Sequence, residues 1–199
     1  GHLISSYVRL SNYIASHKEL RQLLPIMMKR ILSTDRVFLT EWELSDAPFL
    51  LELVNTQGWI ENIGDRNVHN IADAEAYIKK LQLPYGSYGY GFYGLRLKGS
   101  NKLIGLCGII KRMGLNEPDL GFALMPEHEG EGYMYEICAA LLKHAFVKLG
   151  LSKIIAVTTD QNSRSKNLLE RLGMKYDKDV KLPKDPTVLR QYVHERKPY

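Results

Sequence analysis

The chain has 199 residues, of which 45% are hydrophobic and 25% charged, and its formal net charge is +5. This composition is typical of a globular protein with a sizeable core. The apolar runs are too short to cross a bilayer, no signal-peptide pattern opens the chain, and the charges are interspersed rather than gathered into a basic block. We therefore expect no membrane partner and no nucleic-acid partner, and a net charge that suits an anionic ligand.

The two cysteines indicate the redox state of the compartment and whether a metal site is expected. Cys107 lies in an apolar strand-like run and Cys138 in a helical pattern, so both are predicted to be buried free thiols in a reducing cytoplasm. No group of cysteines and histidines has metal-ligand spacing, and we expect no metal.

Residues 3–33 are predicted to be helical. Ser16 and Glu19 form a capping box, Pro25 should kink or divide the segment, and one face carries Leu20, Leu23, Leu24, Met27 and Ile31. We expect residues 1–35 to be an N-terminal helical extension and residues 36–199 to be the main domain. The extension either packs on that domain or forms a homodimer contact.

The main domain alternates strand and helix patterns. A strand is predicted over Arg36–Leu44, supported more by β-branched and aromatic content than by alternation. Helices are predicted from Ser45–Pro48 onward and over Asn70–Leu81. The next predicted elements are three strands, Tyr90–Leu97, Lys102–Met113 and Asp119–Met125, the first two joined at Gly99–Asn101.

The C-terminal half continues the alternation. Helices are predicted over Tyr133–Leu149 and from Asn162 to a C-cap at Gly173, with strands over Lys153–Thr159, Met174–Lys181 and Thr187–Glu195. The whole order of strands and helices predicts an α/β domain with a mixed sheet.

The most informative stretch is Leu120–Tyr133, where an apolar run ends at Pro126 and a long helical pattern begins at Tyr133. Gly130 and Gly132 let the backbone turn so that N–H groups point outward, next to the positive end of a helix. This arrangement suits a phosphate or pyrophosphate, although a plain strand-to-helix turn has the same pattern. The spacing matches neither a nucleoside-triphosphate loop nor a Rossmann loop.

A second motif, Asp160–Lys175, follows about 30 residues later at the next strand–helix junction. Together the two closely resemble the GNAT superfamily of acetyl-CoA-dependent N-acyltransferases, whose pyrophosphate loop Glu127–Gly132 would form. The chain resembles the Rim-type branch, whose named members acetylate the N-termini of ribosomal proteins. Stretches typical of that branch are Asn62–Arg66, Gly105–Arg112 and Asp119–Ala123.

The resemblance implies a mostly antiparallel central sheet flanked by helices, and direct acetyl transfer from acetyl-CoA to a primary amine, either a protein N-terminus or a small molecule. It also implies the cofactor residues: Leu124 and Met125 beside the pantetheine arm, Gly130, Glu131, Gly132, Tyr133 and Met134 at the pyrophosphate, and Asn162 and Ser165 on the next helix. The sequence departs from the family pattern at Glu127, where Gln or Arg is usual, and at Leu169, where many members have a Tyr general acid. Glu129 and Glu131 add negative charge beside the loop.

Two residues are candidates for the chemistry. Ordinary amines are protonated at pH 7, so a general base is useful, and Asp119 is the first choice with Glu117 the second. Ser165 could donate a hydrogen bond to the leaving thiolate, or it could simply bind backbone or cofactor. Asp119 could equally be a structural carboxylate at a strand start.

Other residues carry weaker signals. His128 is expected to be a solvent-facing loop residue, and Cys107 a buried thiol rather than a nucleophile. The aromatic stretch Tyr85–Tyr93 and the segment Trp59–Arg66 are candidate substrate walls, with Asp65 and Arg66 expected to form an ion pair. A non-catalytic acyl-CoA-binding or interaction protein on the same fold is the rival to an enzyme.

Overall fold

The structure is a computed structural model and describes residues 29–196. Eight strands form one sheet. They are β1 (Arg30–Ser33), β2 (Val37–Thr40), β3 (Phe92–Leu97), β4 (Leu103–Ile110), β5 (Asp119–Leu124), β6 (Lys153–Thr158), β7 (Lys175–Val180) and β8 (Leu189–Glu195).

The strand order across the sheet is β1-β2-β3-β4-β5-β6-β8-β7. Every neighbouring pair is antiparallel except β5 and β6, which are parallel and share a single register pair, Asp119 with Ile155. That pair lies at the start of β5, so the two strands separate beyond it. The separation opens a cleft in the middle of the sheet.

Five α-helices lie in the described part of the chain: α1 (Ala47–Val54), α2 (Gln57–Asn62), α3 (Ile71–Tyr88), α4 (Tyr133–Val147) and α5 (Ser163–Arg171). Side-chain caps define where three of them begin. Thr56, Asn70 and Asn162 accept hydrogen bonds from backbone N–H groups three residues further on, in α2, α3 and α5 respectively. Short 3₁₀ turns at Leu44–Asp46 and Pro126–His128 lead towards α1 and α4.

Two apolar clusters hold the layers together. One joins the sheet to α4 and α5, and the other joins it to α1 and α3. Strand β4 contributes Ile104 and Cys107 to the first and Leu103 and Leu106 to the second, so the sheet lies between the two helical layers. The predicted mixed, mostly antiparallel sheet flanked by helices is confirmed.

The predicted N-terminal helix is wrong at its C-terminal end. Arg30–Ser33 is the edge strand β1, in which Leu32 pairs with Leu39 of β2. Ile31 and Leu32 pack against the core from this strand rather than from a helix face. The capping box at Ser16 and the apolar positions up to Met27 lie outside the described residues, and the domain division after residue 35 stays a prediction.

Three other elements differ from the sequence expectations. The predicted strand Arg36–Leu44 is shortened to β2, whose four residues are all buried, which accounts for its imperfect alternation. Helix α2 was not expected. Helix α3 continues beyond Leu81 to Tyr88, with Pro84 inside it, and ends at Gly89 in the left-handed conformation (φ 73°).

Candidate active site

The separation of β5 and β6 forms part of a cavity of about 1090 Å³. Its floor contains Leu120–Leu124 of β5 and Ala156–Thr158 of β6. One side, which we name the α4–α5 wall, consists of the lining residues between 129 and 135, in the loop before α4 and its first turn, together with the lining residues of α5. The opposite side, the α2–α3 wall, is formed by the lining residues between Thr56 and Tyr88 and by Ile110–Arg112.

The loop before α4 presents backbone donors to this cavity. Gly130 and Gly132 both have left-handed φ angles, 82° and 80°, which glycine adopts without steric cost. The first backbone bond of α4 runs from Glu136 N–H to Gly132 O, at 3.1 Å. Within residues 29–196, the N–H groups of Tyr133, Met134 and Tyr135 therefore have no backbone acceptor. These donors, at the positive end of a 15-residue helix, fit a pyrophosphate.

The same loop is held from behind by the β1–β2 turn. Arg36 donates from Nε to Glu136 at 2.7 Å and from its guanidinium to Glu131 O at 3.0 Å. Thr34 Oγ1 and the Arg36 N–H also donate to Glu136. Burial raises the pKa of Glu136, but the hydrogen bonds from Thr34 and Arg36 outweigh it, and the net pKa is lowered. Glu136 is thus ionised and fastens the first turn of α4 to the sheet.

The three acidic residues of the loop are placed differently with respect to the cavity. Glu127 does not line the cavity and lies 3.9 Å from Lys102. Glu129 lines it and forms an ion pair with Arg164 of α5. Glu131 lines the cavity, is exposed, and uses its backbone carbonyl to accept from Arg36.

Helix α5 supplies two further polar groups. Asn162 Oδ1 accepts from Ser165 N–H at 3.1 Å as the helix cap, while both residues line the cavity. The Ser165 hydroxyl is half-buried and makes no hydrogen bond within the described residues. It is therefore available to a ligand. Leu169, at the position where a Tyr was considered, is fully buried and cannot transfer a proton.

Eight of the nine predicted cofactor residues line the cavity. They are Leu124, Gly130, Glu131, Gly132, Tyr133, Met134, Asn162 and Ser165. The exception is Met125, which is 5% exposed and belongs to the core cluster under α1 and α3. Its N–H donates to Ile104 O at 2.8 Å, so it is not available to a pantetheine arm. Strand β5 ends at Leu124, one residue earlier than the strand pattern indicated.

Asp119 lies at the point where β5 and β6 separate. It is 1% exposed and is not among the residues that line the cavity. Arg112, which does line it, donates from Nε to Asp119 Oδ2 at 2.6 Å, and Oδ1 has no hydrogen-bond partner within the described residues. Burial raises the pKa of Asp119, and the Arg112 guanidinium and the nearby Val157 N–H oppose that rise. Glu117 does not line the cavity either.

The weaker candidates are placed away from the cavity. Cys107 and Cys138 are fully buried free thiols with their sulfur atoms 3.5 Å apart, as predicted. Burial raises the pKa of the Cys138 thiol further from the reactive thiolate range. His128 is mostly buried and contacts Lys102 at 3.2 Å rather than facing solvent, so that expectation was wrong.

The α2–α3 wall brings together residues from three separate segments. Burial raises the pKa of the Tyr77 hydroxyl, and the charges of Arg66 and Arg112 oppose the rise, so both guanidinium groups lie near Tyr77. Asp65 accepts from Asn67 N–H at 2.7 Å instead of pairing with Arg66, contrary to the expected ion pair.

Part of this wall had a signal in the sequence. Trp59 and the segment to Arg66 were singled out, and Tyr88 and Phe92 of the aromatic stretch line the cavity, whereas Tyr85 and Tyr93 stack on each other at 5.0 Å beside the core. Tyr77 and Lys80 were missed as lining residues. Their spacing with Pro84 and Tyr88 places them on one helical face, and a longer α3 in the prediction would have revealed it.

Two general searches complete the site description. Across residues 29–196, no three His, Cys, Asp or Glu side chains group closely enough to hold a metal ion. Over the same range, no helix has the length and hydropathy needed to span a membrane.

Comparison with known proteins agrees with this geometry. Residues 36–175 match the family described as "Acetyltransferase (GNAT) domain". The uncharacterized N-acetyltransferase YoaA of Bacillus subtilis (strain 168) is 26% identical over 166 residues, which are 83% of this chain and 89% of YoaA.

Solved structures share the fold. An acetyltransferase from Agrobacterium tumefaciens str. C58 superposes with a TM-score of 0.72 at 24% identity, covering 85% of this chain and 95% of that one. RimL, a ribosomal L7/L12 alpha-N-protein acetyltransferase solved in complex with coenzyme A, also has a TM-score of 0.72, at 17% identity, covering 84% of this chain and 98% of RimL. With the family match over residues 36–175, the separated β5–β6 pair and the glycine loop before α4, the chain belongs to the GNAT acetyltransferase family.

Proposed function

We propose that this protein transfers an acetyl group from acetyl-CoA directly to a primary amine, on a protein N-terminus or a small molecule. The observation that carries the proposal is the row of unpaired N–H groups at the start of α4, beside the gap between β5 and β6. A pyrophosphate needs such donors, and an extended arm needs such a gap. The structure of RimL, which has the same fold, was solved in complex with coenzyme A.

The cofactor is assigned to the α4–α5 wall. Gly130, Glu131, Gly132, Tyr133 and Met134 would surround the pyrophosphate, and Leu124 with Asn162 and Ser165 would border the arm. The pairing of Glu129 with Arg164 supports this placement, because it removes one negative charge from the vicinity of an anionic ligand.

When bound, acetyl-CoA supplies the acetyl group as a thioester. The neutral amine takes this acetyl group and loses a proton, and coenzyme A is released as the free thiol. The Ser165 hydroxyl can donate a hydrogen bond at the place where negative charge develops on sulfur. Its freedom from other hydrogen bonds in the described residues supports that role. A hydroxyl can do this without being ionised, unlike the buried thiols of Cys107 and Cys138.

Asp119 is proposed to receive the amine proton through water, or to act indirectly by holding Arg112 at the cavity. The raised pKa supports the first role. Its absence from the cavity lining and its bond to Arg112 support the second. The two roles differ in the kinetic constant they affect, as set out in the Discussion.

A thiol-release assay with acetyl-CoA tests the proposal, using peptides with free and blocked N-termini and a panel of small amines. We expect thiol release that depends on the acceptor, with an acetylated amine identified by mass spectrometry. Binding of acetyl-CoA without transfer to any acceptor would support the alternative, a non-catalytic acyl-CoA-binding protein. Transfer through an acetylated protein intermediate would contradict direct transfer.

A further inference from the structure

The charges that line the cavity are divided unevenly between its two walls. The α4–α5 wall carries two acidic and two basic side chains, Glu129, Glu131, Arg164 and Arg171. The α2–α3 wall carries four basic side chains, Arg66, Lys80, Lys111 and Arg112, against a single acidic one, Glu61. The wall opposite the assigned cofactor site therefore carries an excess of positive charge.

Most of this positive charge has no carboxylate partner within residues 29–196. The only hydrogen bond recorded for the Arg66 side chain is to the backbone carbonyl of Ile63, at 3.4 Å. Lys111 lies over the Tyr88 ring, with Nζ 5.8 Å from its centroid. Lys80 takes part in none of the ion pairs of the described residues. Only Arg112 is paired, with the buried Asp119.

These groups converge although they are distant in the chain. Arg66 follows α2, Lys80 is on α3, and Arg112 follows β4, yet Arg66 and Arg112 both act on the Tyr77 hydroxyl. Three of the four cationic side chains at this wall thus have no carboxylate partner in the described part of the chain, and all four line one face of a cavity. Such a face attracts anions and repels cations, most strongly at low ionic strength.

We propose that the acceptor amine carries a carboxylate or phosphate close to the amino group, and that the α2–α3 wall binds this anion. The inference rests on the proposed acetyl transfer. It favours an acidic peptide N-terminus or a small amino acid or phosphorylated amine, and it disfavours polyamines and basic peptides.

Matched acceptors test this. The peptide arm compares peptides beginning Ser-Asp-Glu, Ser-Ala-Ala and Ser-Lys-Lys. The small-molecule arm compares phosphoethanolamine, glutamate, ethanolamine and spermidine. For anionic acceptors we expect kcat/KM to exceed that of matched cationic ones by about tenfold or more at low salt, with the advantage shrinking as salt rises. The peptide and small-molecule arms identify which source of the anion is used.

The double variant Lys80→Glu/Lys111→Glu should reverse the preference by raising KM for anionic acceptors. Lys143→Glu, an exposed residue of α4 outside the cavity, is the matched control and should leave the preference unchanged. Equal use of acidic and basic acceptors, or a preference that the double variant does not alter, would overturn the inference.

Binding of the same peptides to the coenzyme A-saturated protein, measured by calorimetry, separates the two proposals. Tighter binding of the acidic peptide without any turnover would overturn the transferase assignment and support the charged wall. Turnover together with equal binding of acidic and basic peptides would do the opposite.

Discussion

The two walls of the cavity are built in different ways. The α4–α5 wall comes from two short segments, in which main-chain N–H groups between Gly130 and Tyr135 provide the donors and the charges balance. The α2–α3 wall comes from three distant segments, in which the donors are side chains and the charge is positive. Main-chain donors suit a ligand whose shape is constant, such as a pyrophosphate. Side-chain donors suit the site of the acceptor, because side chains can be substituted without altering the fold.

The largest effect is expected from closing the main-chain site. Gly132→Asp should reduce coenzyme A binding by on the order of 100-fold or more, because the added Cβ would lie 3.4 Å from the Arg36 guanidinium that holds the loop, and the charged hydrogen bonds to the pyrophosphate would be lost as the loop shifts. The substituted residue must also adopt the φ of 80° that glycine holds. Calorimetric titration measures the change in Kd.

Gly99→Asp is the matched control for backbone strain. Gly99 has a φ of 86°, and an added Cβ there meets no atom within 4 Å. We expect a similar loss of stability but unchanged coenzyme A affinity. Equal affinity in the parent and Gly132→Asp would contradict the assignment of the loop.

Asp119→Asn tests whether Asp119, at the point where β5 and β6 separate, acts as the base or positions Arg112 on the α2–α3 wall. If Asp119 is the base, kcat should fall on the order of 100-fold. Because burial raises its pKa, the acid limb of the parent's pH–rate profile should lie above the ordinary Asp range and flatten in the variant. Coenzyme A affinity should not change.

The alternative outcome for Asp119→Asn is a raised KM for the acceptor with an unchanged pH profile, which would indicate that Asp119 positions Arg112. Full activity with the parent's profile would exclude both roles, and Glu117 would be tested next. The stability change has its own sign. The raised pKa means that the folded state disfavours the ionised form of Asp119. The stability that Asp119 contributes to the parent is therefore present at low pH and is lost as pH rises through the raised pKa.

Ser165→Ala should lower kcat by a smaller factor, about fivefold, since water can replace a hydroxyl donor. Single-turnover thiol release isolates the chemical step from cofactor binding. The matched control is Ser163→Ala in the same first turn of α5, at an exposed position that does not line the cavity. If both variants behave alike, the hydroxyl of Ser165 has no part in thiolate release.

The smallest effect is expected from the support behind the loop. Glu136→Gln should weaken coenzyme A binding by about threefold, as expected for a partly exposed ion pair, because Arg36 would no longer hold the first turn of α4. Glu41→Gln, which breaks the Lys29–Glu41 pair at the other end of the β1–β2 hairpin, should leave affinity unchanged. A Kd equal to the parent's would show that the loop holds its shape without Arg36.

The stability effect of Glu136→Gln has a defined pH window. The pKa of Glu136 is lowered in the folded protein, so its stabilisation is present above the ordinary Glu range and is lost as pH falls through the lowered pKa. The melting temperatures of parent and variant should therefore differ at pH 7 and converge only as the pH falls through the lowered pKa.

Local signals accounted for much of the fold. The caps at Asn70 and Asn162 and the period of α4 depend on residues within one or two turns, and they correctly predicted where helices begin. They failed at Arg30–Ser33, where Ile31 and Leu32 fit a helix face as well as a strand. Pairing with β2, across the β1–β2 turn, decided in favour of the strand.

The sequence by itself determined the α4–α5 wall, because the turn at Gly130 and Gly132 and the free N–H groups of α4 arise from neighbouring residues. The tertiary structure alone decided the α2–α3 wall and the surroundings of Asp119. Arg66 and Arg112 are 46 positions apart in the chain, and only the packing of α2 and α3 against the sheet brings both of them near enough to influence the pKa of Tyr77. Electrostatic attraction depends on distances in space, which residue spacing does not encode beyond a few helical turns.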